Sequence, residues 1–314
     1  MNLTEYKEKI ISGCASVIRG KNEIIENVLI CWLCGGHILL EDVPGTGKTI
    51  LLRAFARTTG GSFRRIQFTP DLLPSDLTGI NIFDQKTSEF VFRPGPLFAN
   101  LVLADEINRA TPRTQSALLE AMAEKQVTVD GRTYPMAEPF MIMATENPLE
   151  SFGTFELPEA QTDRFLMRLS MGYMKREEEM EVIRGEDTSV MVEKLQQRVS
   201  AEETAMVKKQ LEDIEMNEDV LDYLMRIVEA TRTDPGVRTG VSTRGAIALY
   251  RAACARAGLN GRQYVLPEDI RALAVCVLAH RLSLSASAGR ASQEEIISSL
   301  LEKIPVPLEE SAFA

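Results

Sequence analysis

Residues 41–49 read EDVPGTGKT, with Gly45 and Gly47 ahead of Lys48 and Thr49. A short apolar run, HILLE (37–41), precedes this turn, and TILLRAFARTTG (49–60), with helical spacing, follows it. Strand, glycine-rich turn and helix in that order form the pattern of a phosphate cradle. Glycines let backbone amides approach phosphate oxygens, and a helix N-terminus adds partial positive charge there. Val43, Pro44, Gly45, Thr46, Gly47, Lys48, Thr49 and Ile50 are therefore expected to surround a bound nucleotide. Lys48 would reach the β/γ-phosphates and Thr49 would ligate Mg²⁺. The first glycine of the consensus is replaced by Asp42, whose carboxylate must point away from the phosphates.

Hydrolysis would need an acid to hold the metal and a base to activate water. LVLADE (101–106) supplies both: four apolar residues end in Asp105, followed at once by Glu106. At a strand C-terminus beside the cradle, Asp105 can hold Mg²⁺ through water and Glu106 can polarise the attacking water. An acidic pair after a strand is otherwise a helix cap. FMIMATEN places Asn147 just past a further strand, where it could bind water near the γ-phosphate; a turn asparagine before Pro148 would occupy the same position.

These groups need a scaffold. Five runs read as strands: HILLE (37–41), RRIQF (64–68), LVLADE (101–106), FMIMATE (140–146) and FLMRLS (165–170). Most are continuously apolar, as in a sheet covered on both faces. Helical patterns alternate with them, so the spacing predicts a doubly wound α/β domain with its ligand at the strand C-termini. In the sheet such a fold implies, the strand before Asn147 is expected between the strands carrying the cradle and the acidic pair. Residues 3–35 predict two helices, with Tyr6, Ile10, Cys14 and Val17 on one face of the first and Ile25, Val28 and Trp32 on one face of the second. Residues 79–96 and 126–136 predict inserted hairpins, the second turning at Asp130-Gly131, for partner contact or pore lining. From about residue 200 everything reads as helix without a strand signal, and SLSASAGRAS (283–292) reads as a loop. The boundaries are 1–172 for a nucleotide-binding domain, 173–204 for a linker helix region and 205–314 for a small helical domain.

Composition narrows the partners. The chain has 314 residues, 45% hydrophobic and 25% charged, enough for two folded domains. A net charge of −10 argues against broad binding to a nucleic-acid backbone. MNLTEYKEKI opens an amphipathic helix rather than a signal peptide, and no apolar run reaches the length of a membrane span. Cys31 and Cys34 form a CxxC, but inside the helical run IIENVLICWLCGG they read as packed thiols. An odd count of five cysteines suits a reducing cytoplasm.

The long blocks LLEDVPGTGKT, FTPDLLPSDLTG, FRPGPLFANLVLADEINRATPRTQSALLEAMAE, ATENPLESFGTFELPEAQTDRFLM and GVSTRGAIAL, continued to KIPVP, resemble the MoxR family of AAA+ ATPases, in its helix-2-insert clade. The resemblance implies a P-loop NTPase sheet core with a small C-terminal all-α lid domain, binding ATP and Mg²⁺. It implies Lys48 and Thr49 as the Walker A pair, Asp105 and Glu106 as Walker B, and Asn147 as the first sensor. Arg164, in PEAQTDRF, resembles an arginine finger offered to a neighbour's nucleotide, and Arg244 a second sensor acting within its own subunit. Ile18 and Gly20, in SVIRGKNE, match the stretch lining the adenine pocket. A finger acting in trans implies a homo-oligomer, a hexameric ring. The family implies chaperone-like remodelling of protein clients, von Willebrand factor A-domain proteins among them. Two alternatives stay open on the residues: a nucleic-acid motor or metal-chelatase-type subunit, and a nucleotide-gated scaffold without catalysis.

Overall fold

The computed structural model describes residues 1–41, 45–146, 154–155, 157–185 and 187–307. Helix α1 (Leu3–Ala15) begins at a reciprocal cap: the Asn2 side chain accepts from the Glu5 N–H at 2.8 Å, and the Glu5 carboxylate accepts from the Asn2 N–H at 3.3 Å. Its Tyr6, Ile10 and Cys14 are fully buried, as the 3.6-residue spacing requires. Helix α2 (Asn22–Leu33) buries Ile25, Val28 and Trp32. Strand β1 (Ile38–Glu41) and helix α3 (Lys48–Thr59) flank the glycine-rich turn. Then come β2 (Phe63–Gln67), a short α4 (Pro74–Thr78), and a hairpin of β3 (Gly79–Asp84) and β4 (Glu89–Pro94). β5 (Leu101–Asp105) leads to α5 (Pro112–Glu124) and a second hairpin, β6 (Gln126–Val129) and β7 (Arg132–Pro135). β8 (Met141–Glu146), α6 (Glu159–Thr162) and β9 (Met167–Leu169) complete this part.

β2-β5-β8-β1-β9 form one parallel sheet in that order. β8 thus lies between the strand of the acidic pair and the strand of the glycine-rich turn, as expected. The pleat splits the strands between two cores. On β5, Leu101 and Leu103 join α1–α3 on one face, while Val102 and Ala104 join Leu118, Leu119 and Met122 of α5 on the other. Strand β2 lies at the sheet edge, and only its Ile66 is buried while Arg64, Arg65 and Gln67 are exposed. Both predicted hairpins form. Asp130 and Gly131 have φ of +50° and +78°, the two left-handed residues of a type I′ turn. The hairpins hold each other: Asn81 donates to Asp130 at 2.7 Å, and Phe92 stacks on Tyr134 with ring centroids 4.0 Å apart.

The rest is helical: α7 (Arg176–Arg184), α8 (Thr188–Lys194), α9 (Ala201–Gln210), α10 (Glu218–Thr233), α11 (Thr243–Leu259), α12 (Pro267–Leu278) and α13 (Gln293–Lys303). One expectation is corrected here. Val237–Thr239 (β10) and Ser283–Leu284 (β11) pair antiparallel, so the lid does contain a small sheet, and part of the supposed loop at 283–292 is strand. Three and two residues with an irregular register are too short for a periodic signal; the pairing exists because α10 and α12 bring the segments together. The lid is not a separate ball. Gly258 of α11 lies so close to α1 that a Cβ there would sit 2.7 Å from Leu3. Arg281, its side chain 2% exposed, donates to Asp163 at 2.9 Å and to the Phe165 carbonyl at 2.7 Å.

All five cysteines are free thiols. Burial pushes Cys14, Cys34 and Cys276 up to about 12 and Cys31 well above its ordinary value, so Cys31 and Cys34 are packing residues with little thiolate. Among the described residues no helix is long and apolar enough to cross a membrane.

Candidate functional site

The amphipathic α3 is anchored by buried Leu51, Leu52, Ala54 and Phe55, which leaves its N-terminus facing the sheet's C-terminal edge. Gly47 stands at the N-cap with φ of +91° and no side-chain cap, and Gly45 has φ of +86°. Only glycine takes such angles without strain. A Cβ on Gly45 would meet nothing within 4 Å, so the turn opens onto free space. That space is a cleft of about 360 Å³ lined by Gly45, Thr46, Gly47, Lys48, Thr49, Arg65, Gln67, Asp105, Glu106, Thr145 and Glu146. Five of the expected cradle residues and both acids therefore share one cavity. Ile50 lies in the first turn of α3, half-buried and outside that lining. Val43, Pro44 and Asn147, with Asp42, lie outside the described residues.

A network orders the acidic pair. Thr145, at the end of β8 and 1% exposed, donates its hydroxyl to Asp105 Oδ1 at 2.7 Å and accepts the Glu106 N–H at 2.8 Å. Glu106 itself has φ of +57°, an unusual conformation for a residue with a Cβ. Its Oε2 accepts from Gln67 Nε2 at 2.8 Å and from Arg109 Nη1 at 3.1 Å. Arg65 closes on Asp105 Oδ2 through Nη2 at 2.5 Å and Nε at 3.1 Å. Gln67 pairs in register with Asp105, and Arg65 with Leu103, so alternation puts both polar side chains on the face that carries Asp105. Arg65, Gln67, Arg109 and Thr145 were not singled out from sequence. The available signal was weak: two polar residues spaced by two in RRIQF, next to a strand that the acidic pair must join. The hydroxyl of Thr49 and the carboxylates of Asp105, Glu106 and Glu146 are hard oxygen donors around one cavity and fit Mg²⁺, which takes few protein ligands and completes its shell with water and phosphate.

The remaining expected site residues do not line this cleft. Half-buried Arg164 donates to the Leu119 carbonyl of the same chain at 2.7 Å. Arg244, in the first turn of α11 and 62% exposed, lies 3.6 Å from Asp163. Ile18 is buried, and Gly20 has φ of +67° with the Glu178 carboxylate of α7 packed over it. Arg19 is ion-paired to Glu181 on the same helix. The lid and the cradle strand are tied through Arg168, which reaches Glu41 at 3.2 Å and Glu294 of α13.

Buried His37 serves structure. His37 Nδ1 accepts from the Ile142 N–H at 3.0 Å and its Nε2 donates to the Met122 carbonyl at 3.2 Å. Burial lowers its pKa from 6.5 to about 4, which keeps it neutral.

Comparison with known proteins agrees with this geometry. A family profile described as the ATPase family associated with various cellular activities matches residues 37–167, and an AAA lid domain profile matches 229–300. The uncharacterized protein YeaC of Bacillus subtilis is 47% identical over 306 residues, covering 97% of this chain and 96% of its own. Chaperone MoxR1 of Mycobacterium tuberculosis is 40% identical over 311 residues, covering 96% of this chain and 82% of its own. A crystal structure of a candidate ATPase from Cytophaga hutchinsonii superposes with a TM-score of 0.89 at 40% identity, covering 98% of this chain and 97% of that one. With a phosphate cradle and an acidic pair meeting in one cleft, a C-terminal region that matches an AAA lid, and relatives of that name along nearly its whole length, the chain belongs to the MoxR family of AAA+ ATPases.

Proposed function

We propose that this chain hydrolyses ATP with Mg²⁺ at sites completed by neighbouring copies in a ring, a hexamer, and spends the energy on remodelling protein partners. The observation that carries this reading is the meeting of Gly45–Thr49, Asp105 and Glu106 around one cleft. There the backbone amides of the cradle and the α3 N-terminus bind phosphate oxygens, and Lys48 neutralises their charge. Glu106 accepts a proton from the attacking water. Mg²⁺ bound through Thr49 and Asp105 would neutralise charge on the phosphates and orient them. Val43, Pro44, Ile18 and Gly20 complete the nucleotide pocket, and Asn147 orients water. With domain boundaries at 172 and 204, the lid is the proposed moving part, its Arg244 leaving Asp163 to reach the phosphates.

Arg164 is the proposed trans-acting finger: on assembly it exchanges the Leu119 carbonyl for a neighbour's phosphate. The interlocked hairpins support a protein client, since Ile80, Ile82, Phe83, Phe90 and Val91 present exposed apolar surface. One relative is named a chaperone, and von Willebrand factor A-domain proteins are the proposed clients. A net charge of −10 argues against nucleic acid, and five free thiols support a cytoplasmic location.

The test is turnover with three variants. Lys48→Ala is expected to lose ATP binding, and Glu106→Gln to bind ATP without hydrolysing it. Arg164→Ala and Glu106→Gln, each inactive, should regain part of the wild-type rate when mixed, because some interfaces then pair an intact base with an intact finger. Normal turnover by Arg164→Ala, or mixed rings that assemble and stay inactive, would defeat the trans assignment.

A further inference from the structure

Asp105 already has a cation on it. Its Oδ1 is taken by the Thr145 hydroxyl at 2.7 Å, and its Oδ2 accepts twice from Arg65, at 2.5 and 3.1 Å. Arg65 Nη2 also donates to the Gln67 side-chain oxygen at 3.2 Å, which orients the guanidinium along the edge of β2. The Arg65 side chain is half exposed and Asp105 is 18% exposed, so the pair sits at the cleft wall with one face to solvent. A divalent ion approaching Asp105 therefore meets a carboxylate whose charge is balanced and whose outer oxygen is occupied. Direct approach is opposed by like charge at a few ångström, and the opposition is greatest for a metal that arrives bare.

A metal arriving on a nucleotide is different. The phosphates carry negative charge into the same cavity that Arg65 lines, beside Gly45–Thr49. A guanidinium is suited to that exchange, because its planar fork binds carboxylate and phosphate oxygens equally well in bidentate fashion. We propose that Arg65 is a resident counter-cation of Asp105: it excludes bare divalent metal from the cleft and transfers to the phosphates when metal and nucleotide enter together. The proposal deepens the reading above, since it rests on Asp105 as the metal-holding acid. Its consequence is ordered loading, with metal affinity created by nucleotide rather than preceding it.

The experiment measures Mn²⁺ binding to the full-length protein by electron paramagnetic resonance, with and without a non-hydrolysable ATP analogue. Wild type is expected to bind Mn²⁺ alone weakly, and Arg65→Gln to bind it at least tenfold more tightly. Arg65→Lys, which keeps the charge, should stay near wild type. With the analogue present, Arg65→Gln should lose about tenfold in analogue affinity. Arg65 is half exposed on an edge strand, so these variants should fold, and circular dichroism checks that. Equal Mn²⁺ affinity in wild type and Arg65→Gln overturns the proposal. Adding Asp105→Asn to Arg65→Gln separates the two readings. If the double variant loses Mn²⁺ while Arg65→Gln binds no better than wild type, the metal site stands and the role of Arg65 falls. If Arg65→Gln gains Mn²⁺ that Asp105→Asn does not remove, Asp105 is not the ligand and both fall.

Discussion

Thr145→Val is the substitution that most directly tests how the acidic pair is held. Valine matches threonine in shape and suits a strand, so the buried site gains no cavity. Only the hydroxyl goes, and with it the 2.7 Å bond to Asp105 and the 2.8 Å bond from the Glu106 N–H. A bond to a carboxylate contributes about 1.5–3 kcal/mol, and a buried N–H left without a partner costs about 1–3 kcal/mol. Glu106 and Asp105 are partly open to water, so the lower parts of both ranges apply and the sum is about 2–4 kcal/mol of stability. The Glu106 backbone, at φ +57°, also loses the bond that helps hold that conformation. Each 1.4 kcal/mol of misplacement at the base is about tenfold in rate, so kcat should fall at least tenfold. ATP affinity should stay within about threefold, since Lys48 and the cradle are untouched. Urea unfolding, single-turnover hydrolysis and a fluorescent-nucleotide titration read the three quantities. Thr145→Ser, which keeps the hydroxyl, should retain most activity. A Thr145→Val protein with wild-type stability and kcat would refute the network as the device that positions Asp105 and Glu106.

Gln67→Ala removes the 2.8 Å bond to Glu106 Oε2; because Gln67 is exposed, a loss of about 1–2 kcal/mol is expected, seen as a roughly 5- to 30-fold lower kcat with nucleotide affinity preserved. Stability should also depend on pH through His37. Its folded pKa of about 4 lies below the unfolded 6.5, so its contribution is complete above pH 6.5 and is lost as pH falls towards 4. Between pH 7 and 5 this amounts to about 2 kcal/mol, measurable as a falling urea midpoint; a flat midpoint would show that His37 is not held neutral. Gly45→Val should lose nucleotide binding while keeping its fold, since φ of +86° suits only glycine there although the space is open; a binding-competent Gly45→Val would remove that backbone geometry from the argument.

Local pattern determined a good deal of this protein from sequence. EDVPGTGKT and LVLADE are contiguous, and glycines, a lysine and two carboxylates carry their chemistry wherever a strand delivers them. The five strands, two hairpins and paired N-terminal helices were legible because burial on a sheet or helix face imposes a period on the chain. Tertiary structure decided the groups that meet across distance. Thr145 touches Asp105 and Glu106 only because β8 lies beside β5, and Arg65 and Gln67 face Asp105 only because β2 pairs with β5 in that register. A shift of one residue would turn both side chains away, and nothing in RRIQF alone sets the register. The same holds for Arg164 on the Leu119 carbonyl, Arg244 beside Asp163, and the small β10–β11 sheet. Each depends on which surfaces the buried faces bring together, and a hydrogen bond between residues about forty positions apart leaves no periodic mark on the chain.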